Sequence, residues 1–478
     1  MVKSASKLHA IVVPLPYQGH INPAISLAIK LASKGITITF IHTQYVHHTL
    51  TQAHRSKTGD EVDFFSGARK SGLDIRYSTI SDGFPIDFDR GRNFDAFWVS
   101  FLRDFPGRVD EFIGSMMIQR DPCWTFFLIT DTFFSWAPTI ANKYGLVNVS
   151  FWTQTALVFS IGYHLDLLSE NGHCPTKDNA EEEITYLPGI EAISTKDLMP
   201  YLKESETTKQ AHIVSIKAFE EAKKADFILI NTVEELELKA LSALNQKKPI
   251  YVVGPVNFIR DCAPPAITKS LWTEMDCEKW LESKHPGSVL YVSFGSLAQI
   301  SKQELEEIAY GLLLSEVHFI WVVRADIASE KEFSLPDGFE NQVKDKGLIV
   351  PWCDQVNVLS NPAVGLFLTH CGWNSILESI WCGVPMICHP YVFDQPPNRK
   401  LIVEDWKVGV NLIDGVSVHR EEVAEKIKNL MSGTVVGQGL RQEVEKAKMI
   451  LHNAIETNGS SDRKFDQFIQ DLENKICS

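Results

Sequence analysis

Several common sequence signatures are missing from this chain of 478 residues, and each absence excludes a class of function. No GxGxxG follows the first apolar run, which argues against a nicotinamide-dependent dehydrogenase. The chain also lacks a GxxxxGK[ST] loop for nucleoside triphosphates, a His/Cys/Asp cluster with zinc spacing, and the GxSxG elbow of a hydrolase. A function for this chain must therefore be supported by other residues.

Long apolar runs and basic tracts are lacking as well. No apolar run reaches the roughly 20 residues of a membrane span, and a net charge of −14 without a basic tract argues against nucleic-acid binding. The 9 cysteines show no disulfide-like spacing, so we expect reduced thiols in a cytoplasmic protein. The apolar content of 44% and the charged content of 22% describe a soluble globular protein. We expect a monomer.

What the chain does contain is an alternation of strand and helix patterns, which predicts an α/β fold with parallel sheets. In the first unit, HAIVVPL is a strand and PYQGHI is a loop. The helix that follows is predicted to begin at Asn22-Pro23, with asparagine as the N-cap and proline in the first turn, and to end at Gly35. Another helix is predicted to begin at Ser301, where Glu304 completes a capping box.

The length of the chain predicts two domains of roughly 200–250 residues each. A proline-rich stretch without periodicity, VGPVNFIRDCAPPAI, indicates the linker between them. We predict an N-terminal domain at 1–254, a linker at 255–272, a C-terminal domain at 273–456, and a final helix at 457–478.

The stretch THCGWNSILESIWCGVP reads as the end of a strand, a tight turn and a helix that is predicted to end at Cys382-Gly383. Residues 370–375 then lie at a helix N-terminus, where backbone N–H groups and the helix dipole favour a phosphate. Side chains of His370, Asn374 and Ser375 can add hydrogen bonds, and Glu378 can accept from sugar hydroxyls. The alternative is an ordinary turn whose polar residues cap the helix.

Polar residues follow predicted strands in both halves of the chain, and ligands of open α/β sheets bind at the carboxyl ends of strands. These residues are His20, Asp131 and Thr153 in the first half and Ser296, His370 and Asp394 in the second. Two such sheets imply a cleft between the domains. A His–Asp pair forms a general base, because the carboxylate fixes the imidazole tautomer and stabilises the imidazolium. The alternative is a loop histidine and a helix-capping aspartate.

Residues 352–395, WCDQVNVLSNPAVGLFLTHCGWNSILESIWCGVPMICHPYVFDQ, resemble the 44-residue signature box of plant UDP-sugar-dependent glycosyltransferases along its full length. The segments PYQGHINP, SDGFP, FWT and YVSFGS and the tail GSSDRKFDQFIQDL agree with the same family. The resemblance therefore runs from end to end. It implies the GT-B fold, in which two facing Rossmann-like domains bind the acceptor (N-terminal) and the UDP-sugar (C-terminal), and the last helix packs back on the N-terminal domain.

The resemblance also implies the residues of the donor site. Trp352 would stack on the uracil, Gln355 would contact the ribose, and Glu378 would bind the ribose hydroxyls. The diphosphate would be held by Ser296, His370, Asn374 and Ser375. The hexose would be held by Thr153, Trp373, Asp394 and Gln395. Cys353, inside the opening WCDQ, is counted with the donor site, and the closing glutamine is the version associated with glucose.

The implied reaction is a single displacement with inversion, in which His20 deprotonates the acceptor and Asp131 supports it. No metal and no cofactor are expected, since the UDP-sugar is a co-substrate. Phe133, Phe134 and Trp152 are predicted to form an apolar acceptor pocket, and plain core packing is the alternative for each.

The chain departs from the family at Val392-Phe393, where an aromatic and then a small residue are usual, and this leaves the junction of sugar and acceptor less defined. The motifs do not separate O- from C-glycosylation, and a non-catalytic binding protein on the same fold is a further alternative. Such a protein could lose His20 or Asp131, and this chain keeps both.

Overall fold

The computed structural model describes residues 7–54, 64–91, 93–119, 123–175, 181–203, 209–258, 270–296, 300–324, 335–415 and 417–477. These residues form two compact units. The first unit contains residues 1–195, 201–272 and 454–478, and the second contains 196–200 and 273–453. Of the predicted linker, residues 259–269 lie outside the described residues.

The first unit is built on a seven-stranded parallel sheet with the order β3-β2-β1-β4-β5-β8-β9. Its strands are β1 (Lys7–Val13), β2 (Thr37–Thr43), β3 (Ile75–Ile80), β4 (Trp124–Asp131), β5 (Val147–Trp152), β8 (Phe227–Ile230) and β9 (Ile250–Val252). A short antiparallel pair joins β6 (Glu183–Ile184) to β7 (Ile193–Ser194). The central strands β1, β4 and β5 are neighbours, so their carboxyl ends meet at one edge of the sheet.

Helices connect these parallel strands, as a parallel sheet requires. They are α1 (Gln18–Ser33), α2 (Gln44–Ala53), α3 (Ser66–Lys70), α4 (Phe94–Ile118), α5 (Ala137–Tyr144), α6 (Ala156–Tyr163), α7 (Leu165–Glu170), α8 (Lys209–Ala222) and α9 (Leu238–Asn245). Short 3-10 turns cover Thr195–Asp197 and Pro200–Leu202.

The prediction that α1 begins at Asn22-Pro23 is wrong. The helix starts at Gln18, because the N–H groups of His20 and Ile21 both donate to the Tyr17 carbonyl and add a turn before the asparagine. A proline inside the helix removes only one backbone hydrogen bond here, and the helix continues through it to Ser33. His20 therefore lies on the first turn of α1 and not on a loop.

The second unit contains a six-stranded parallel sheet with the order β12-β11-β10-β13-β14-β15. Its strands are β10 (Val289–Ser293), β11 (His318–Val322), β12 (Gly347–Val350), β13 (Val364–Thr369), β14 (Met386–Cys388) and β15 (Gly409–Asn411). Its helices are α10 (Glu278–Glu282), α11 (Lys302–Ser315), α12 (Phe339–Val343), α13 (Gln355–Ser360), α14 (Trp373–Cys382), α15 (Gln395–Lys400), α16 (Arg420–Met431) and α17 (Val435–Ala454), with a π-helical turn at Leu401–Asp405.

Local signals fix the ends of two helices in this unit. Ser301 and Glu304 form the predicted capping box at the start of α11. Gly383, with φ of +77°, ends α14 in the left-handed conformation that glycine adopts without a steric penalty. Both predictions are confirmed, and both rest on short-range chemistry.

The last helix, α18 (Ser460–Cys477), belongs to the first unit. Its Phe468 ring packs against Phe227 and Tyr251, and the Tyr251 hydroxyl donates to Asp471 at 2.7 Å. An apolar face and one polar hydrogen bond thus hold α18 on the edge strand β9 and its neighbour β8. No helix among the described residues is both long enough and apolar enough to span a bilayer.

Two parallel sheets with connecting helices confirm the predicted fold class, α/β with two Rossmann-like domains. Both sheets are rich in buried aliphatic and aromatic residues, and the largest fully buried side chains include Trp152 in the first unit and Trp321 in the second. Each sheet carries polar residues at the carboxyl ends of its central strands, where the predicted site residues lie.

Candidate active site

A histidine and an aspartate pair at the carboxyl edge of the first sheet. The Nδ1 atom of His20 lies 2.6 Å from Oδ2 of Asp131, the last residue of β4. The aspartate side chain is 2% exposed and the histidine side chain 15% exposed. The other carboxylate oxygen, Oδ1, accepts from the N–H of Phe133 at 3.0 Å. The carboxylate is therefore fixed on both oxygens, and the histidine it holds keeps contact with solvent.

The orientation of this pair determines which nitrogen of His20 is basic. A carboxylate beside Nδ1 favours the tautomer with the proton on Nδ1, which places the lone pair on Nε2. An imidazolium formed by protonation of Nε2 would be stabilised by the adjacent negative charge. The structure thus brings together the two residues that the sequence predicts as a base and its support.

Thr153 lies beside the same histidine. Its hydroxyl is 3.1 Å from Nδ1 of His20, and the residue is 3% exposed at the end of β5. The contact of Thr153 with a hexose stays a prediction. In the structure its hydroxyl contacts His20.

The three aromatic residues of the predicted acceptor pocket have different surroundings. Phe133 is partly buried, and its ring centroid lies 6.0 Å from that of His20. Phe134 is 2% exposed and packs on Phe105, while Trp152 is 1% exposed and donates to the Thr155 carbonyl. Their role in acceptor binding stays a prediction, and Phe133 is the one with its ring nearest the base.

The turn after β13 leads directly into α14. Gly372 precedes the helix and has no side chain to cap the first turn, so the N–H groups of that turn face the position where an anion would bind. Cys371 adopts φ of +66°, a left-handed conformation that is uncommon for residues other than glycine. The predicted strand–turn–helix geometry of residues 369–382 is present.

Two glycines enclose the imidazole of His370. A methyl group built on Gly372 would lie 2.4 Å from Nε2 of His370, and one built on Gly295 would lie 2.5 Å from the same atom. Gly295 also has φ of +71°, which favours glycine at that position. The backbone can approach the histidine this closely only because both residues lack a side chain.

Burial lowers the pKa of His370 to about 4, and the nearby Arg324 cation acts in the same direction. The imidazole is therefore neutral at pH 7 and can donate one hydrogen bond. Arg324, which is 6% exposed, donates to the Gly295 carbonyl at 3.1 Å. It places a positive charge near His370, and it is not among the residues predicted from the sequence.

A hydrogen-bonded network connects three predicted donor-site residues. The Gln355 amide nitrogen donates to Glu378 at 2.7 Å and to the Ser375 hydroxyl at 2.9 Å. Its carbonyl oxygen accepts from the Tyr291 hydroxyl at 3.2 Å. This hydroxyl also lies 3.6 Å from the sulfur of Cys353. The phenol thereby orients the glutamine amide, and Tyr291 is a second residue that sequence analysis missed.

Asp394 and Gln395 lie at the start of α15, and both are buried. The Gln395 carbonyl oxygen accepts from the N–H groups of Tyr391 and Val392, at 2.8 and 2.9 Å. Because two N–H donors must face an oxygen, the amide nitrogen of Gln395 is left to act as a donor. Phe393, at the departure from the family pattern, has φ of +56°.

The other predicted donor residues are also in the second unit. Three of them, Trp352, Ser296 and Asn374, are half-buried. Trp373 is 3% exposed, and its ring centroid lies 6.1 Å from that of Trp406. Among the residues that the structure describes, no group of three or more His, Cys, Asp or Glu side chains could hold a metal ion.

Comparison with known proteins finds similarity over nearly the whole chain. A family model described as "UDP-glucoronosyl and UDP-glucosyl transferase" matches residues 197–438. UDP-glycosyltransferase 86A1 of Arabidopsis thaliana is 49% identical over an alignment of 476 positions, which covers 98% of this chain and 95% of that protein.

Two solved structures share the fold. Os79 of O. sativa in complex with UDP has a TM-score of 0.81 at 26% identity, with 97% of this chain and 100% of that chain covered. Phytolacca americana UGT2, complexed with UDP-2fluoro-glucose and pterostilbene, has a TM-score of 0.76 at 28% identity, with coverages of 98% and 100%.

Proposed function

The chain belongs to the family of UDP-glucuronosyl and UDP-glucosyl transferases, and from this membership we propose that it transfers glucose from UDP-glucose to a hydroxyl or carboxyl group of a small lipophilic plant metabolite. It is a UDP-glycosyltransferase. The observation that carries the proposal is the 2.6 Å contact between His20 and Asp131, which provides a supported base.

In the proposed reaction, Nε2 of His20 removes the proton of the acceptor hydroxyl. The acceptor oxygen attacks the anomeric carbon on the face opposite UDP, and the bond from that carbon to the phosphate oxygen breaks. One displacement inverts the anomeric centre, so an α-linked donor gives a β-glycoside. Asp131 stabilises the imidazolium that carries the proton.

The leaving diphosphate would be held without a metal ion. Its negative charge would lie at the N-terminus of α14 and against the neutral imidazole of His370, with the Arg324 cation nearby. Trp352 would stack on the uracil, and Glu378, oriented by Gln355, would accept from the ribose hydroxyls.

Glucose is favoured by two considerations. The closing pair of the signature box ends in glutamine, and a solved relative was complexed with UDP-2fluoro-glucose. Pterostilbene in the same complex is consistent with an apolar acceptor. In this chain the Phe133 ring, whose centroid lies 6.0 Å from that of His20, would contact such an acceptor.

The proposal is tested by incubating the protein with UDP-glucose and a panel of phenols, carboxylic acids and terpenoid alcohols, followed by mass spectrometry. UDP-galactose, UDP-xylose and UDP-glucuronate serve as matched donors. We expect a hexose added to at least one acceptor, with UDP-glucose the preferred donor. Preference for another donor would contradict the assignment of glucose, and UDP-glucose binding without any product would favour the non-catalytic alternative.

Removal of divalent metal should leave the activity intact. The reason is that the proposed cradle meets the phosphate charge with a helix terminus and hydrogen bonds. Turnover is measured in excess EDTA, with and without added Mg²⁺ or Mn²⁺. Complete loss of turnover in EDTA that either metal restores would overturn the metal-free cradle.

Replacing Gln395 with glutamate tests the direction of one hydrogen bond to the sugar. One glutamate oxygen can still accept from the N–H groups of Tyr391 and Val392, so the loop should keep its shape. The second oxygen cannot donate to a hexose hydroxyl, and an unpaired buried group costs about 1–3 kcal/mol. We therefore expect kcat with UDP-glucose to fall about 10-fold or more, with the Kd of UDP nearly unchanged. Equal losses of turnover and UDP affinity would place this side chain at the nucleotide instead.

A further inference from the structure

One buried amide connects the two halves of the donor site. Asn398, in α15, is 0% exposed. Its Nδ2 atom donates to the Cys371 carbonyl at 3.0 Å and to Oδ2 of Asp394 at 2.8 Å. An amide nitrogen carries two protons, so both bonds can form together.

The two acceptors belong to different parts of the site. Cys371 lies between His370 and Gly372 in the turn that faces the diphosphate, and it holds φ of +66°. Asp394 lies one helical turn before Asn398 and is assigned to the hexose. The two acceptors are remote in sequence, and the amide fixes the distance between them.

We propose that Asn398 is a positioning residue that holds the phosphate turn and the hexose-binding carboxylate of Asp394 in one fixed geometry. This inference rests on the proposed function, because it assumes that Asp394 binds the sugar. Asn398 itself is not assigned a contact with the donor. It acts through the carbonyl on one side and the carboxylate on the other.

The chemistry of the site requires an amide at this position. Aspartate has the same shape but no N–H groups, so it would face the Cys371 carbonyl and the Asp394 carboxylate with acceptors only. Two carboxylates in contact also repel each other. Alanine would leave both buried acceptors without this donor, and an unpaired buried acceptor is costly.

A misplaced sugar should affect turnover more than nucleotide binding. The uridine is assigned to Trp352 and Glu378, whereas Asn398 donates to Cys371 and Asp394. The anomeric carbon, by contrast, must lie in line between the phosphate oxygen and the acceptor oxygen, and small errors in that alignment lower the rate strongly.

The test compares Asn398→Ala with Asn231→Ala, a control in the other unit. Asn231 is also 0% exposed, and its side-chain oxygen accepts from the Val256 N–H at 3.0 Å. For each variant we would measure the melting temperature, the Kd of UDP, and kcat with UDP-glucose. We expect Asn398→Ala to lower kcat about 10-fold or more while the Kd of UDP changes less than 3-fold. Asn231→Ala should lower the melting temperature, but it should not lower kcat selectively relative to the Kd of UDP.

A double-mutant cycle with Asp394→Ala then separates positioning from general stability. If Asn398 acts partly through the carboxylate, Asn398→Ala should cost much less kcat in the Asp394→Ala background than in the wild type. Asn398→Ser retains one donor and should give an intermediate kcat. The inference would be overturned if Asn398→Ala lowered kcat by the same factor in the Asp394→Ala background as in the wild type. It would also be overturned if folded Asn398→Ala or Asn398→Ser kept kcat within 2-fold of the wild-type value. Wild-type protein without any transfer would instead contradict the proposed function.

Discussion

Replacing His20 with alanine should lower transfer to a weakly acidic alcohol by about 10²-fold or more, the usual scale for loss of a general base. The Kd of UDP should change little, because the histidine is assigned to the acceptor. An acidic phenol or a carboxylic acid should suffer less, since it ionises with little help. The measurements are kcat for a series of acceptors of decreasing pKa and calorimetry with UDP.

Asp131→Asn should lower kcat through the same proton transfer. The amide keeps the size of the side chain but cannot stabilise the imidazolium, and it can reverse the tautomer of His20. The double variant should be far less than additive, because both residues serve one step. Losses that multiply, or a His20→Ala protein with normal turnover on an alcohol, would show that the proton leaves by another route.

Adding one methyl group at Gly372 should weaken UDP binding about 10- to 100-fold, the cost of losing a hydrogen bond to a charged group. The backbone there has φ of −67° and ψ of 137°, which alanine adopts without strain. The effect would therefore be steric, since the new methyl would lie 2.4 Å from Nε2 of His370 and displace the ring. Uridine, which has no phosphate, should bind as before.

Gly439→Ala is the matched control for this variant. It adds the same group on α17, where no atom lies within 4 Å of the built methyl. Calorimetry should show that Gly372→Ala weakens the binding of UDP but not of uridine, and that Gly439→Ala changes neither affinity. Unchanged UDP affinity in folded Gly372→Ala protein would remove His370 from the phosphate site.

Features set by neighbours in the sequence were predictable. The alternation of strands and helices gave the fold class, and the capping box of Ser301 and the terminal Gly383 gave helix ends. The pairing of His20 with Asp131 was predictable because parallel strands end at one edge of a sheet. In each case the signal is periodicity or a short motif whose physical effect is local.

Features set by contacts across the fold were not predictable. Asn398 bonds to Cys371, 27 residues away, and Tyr291 bonds to Gln355, 64 residues away. Nothing in the local sequence marks either partner. The sequence also did not determine where the ring of Phe134 points, because a residue just after a strand can face either the core or a ligand. The start of α1 was misplaced because a proline suggested a first turn that two backbone bonds to Tyr17 had already formed.

The anomeric configuration of the product tests the central claim most directly. UDP-glucose, whose glucose is α-linked, is incubated with an acceptor that the protein accepts, and the purified glycoside is examined by proton NMR. A base-assisted single displacement predicts a β-glucoside, recognised by the large coupling between H1 and H2, at a rate that depends on His20. An α-glucoside, or a β-glucoside formed equally fast by the His20→Ala protein, would contradict it.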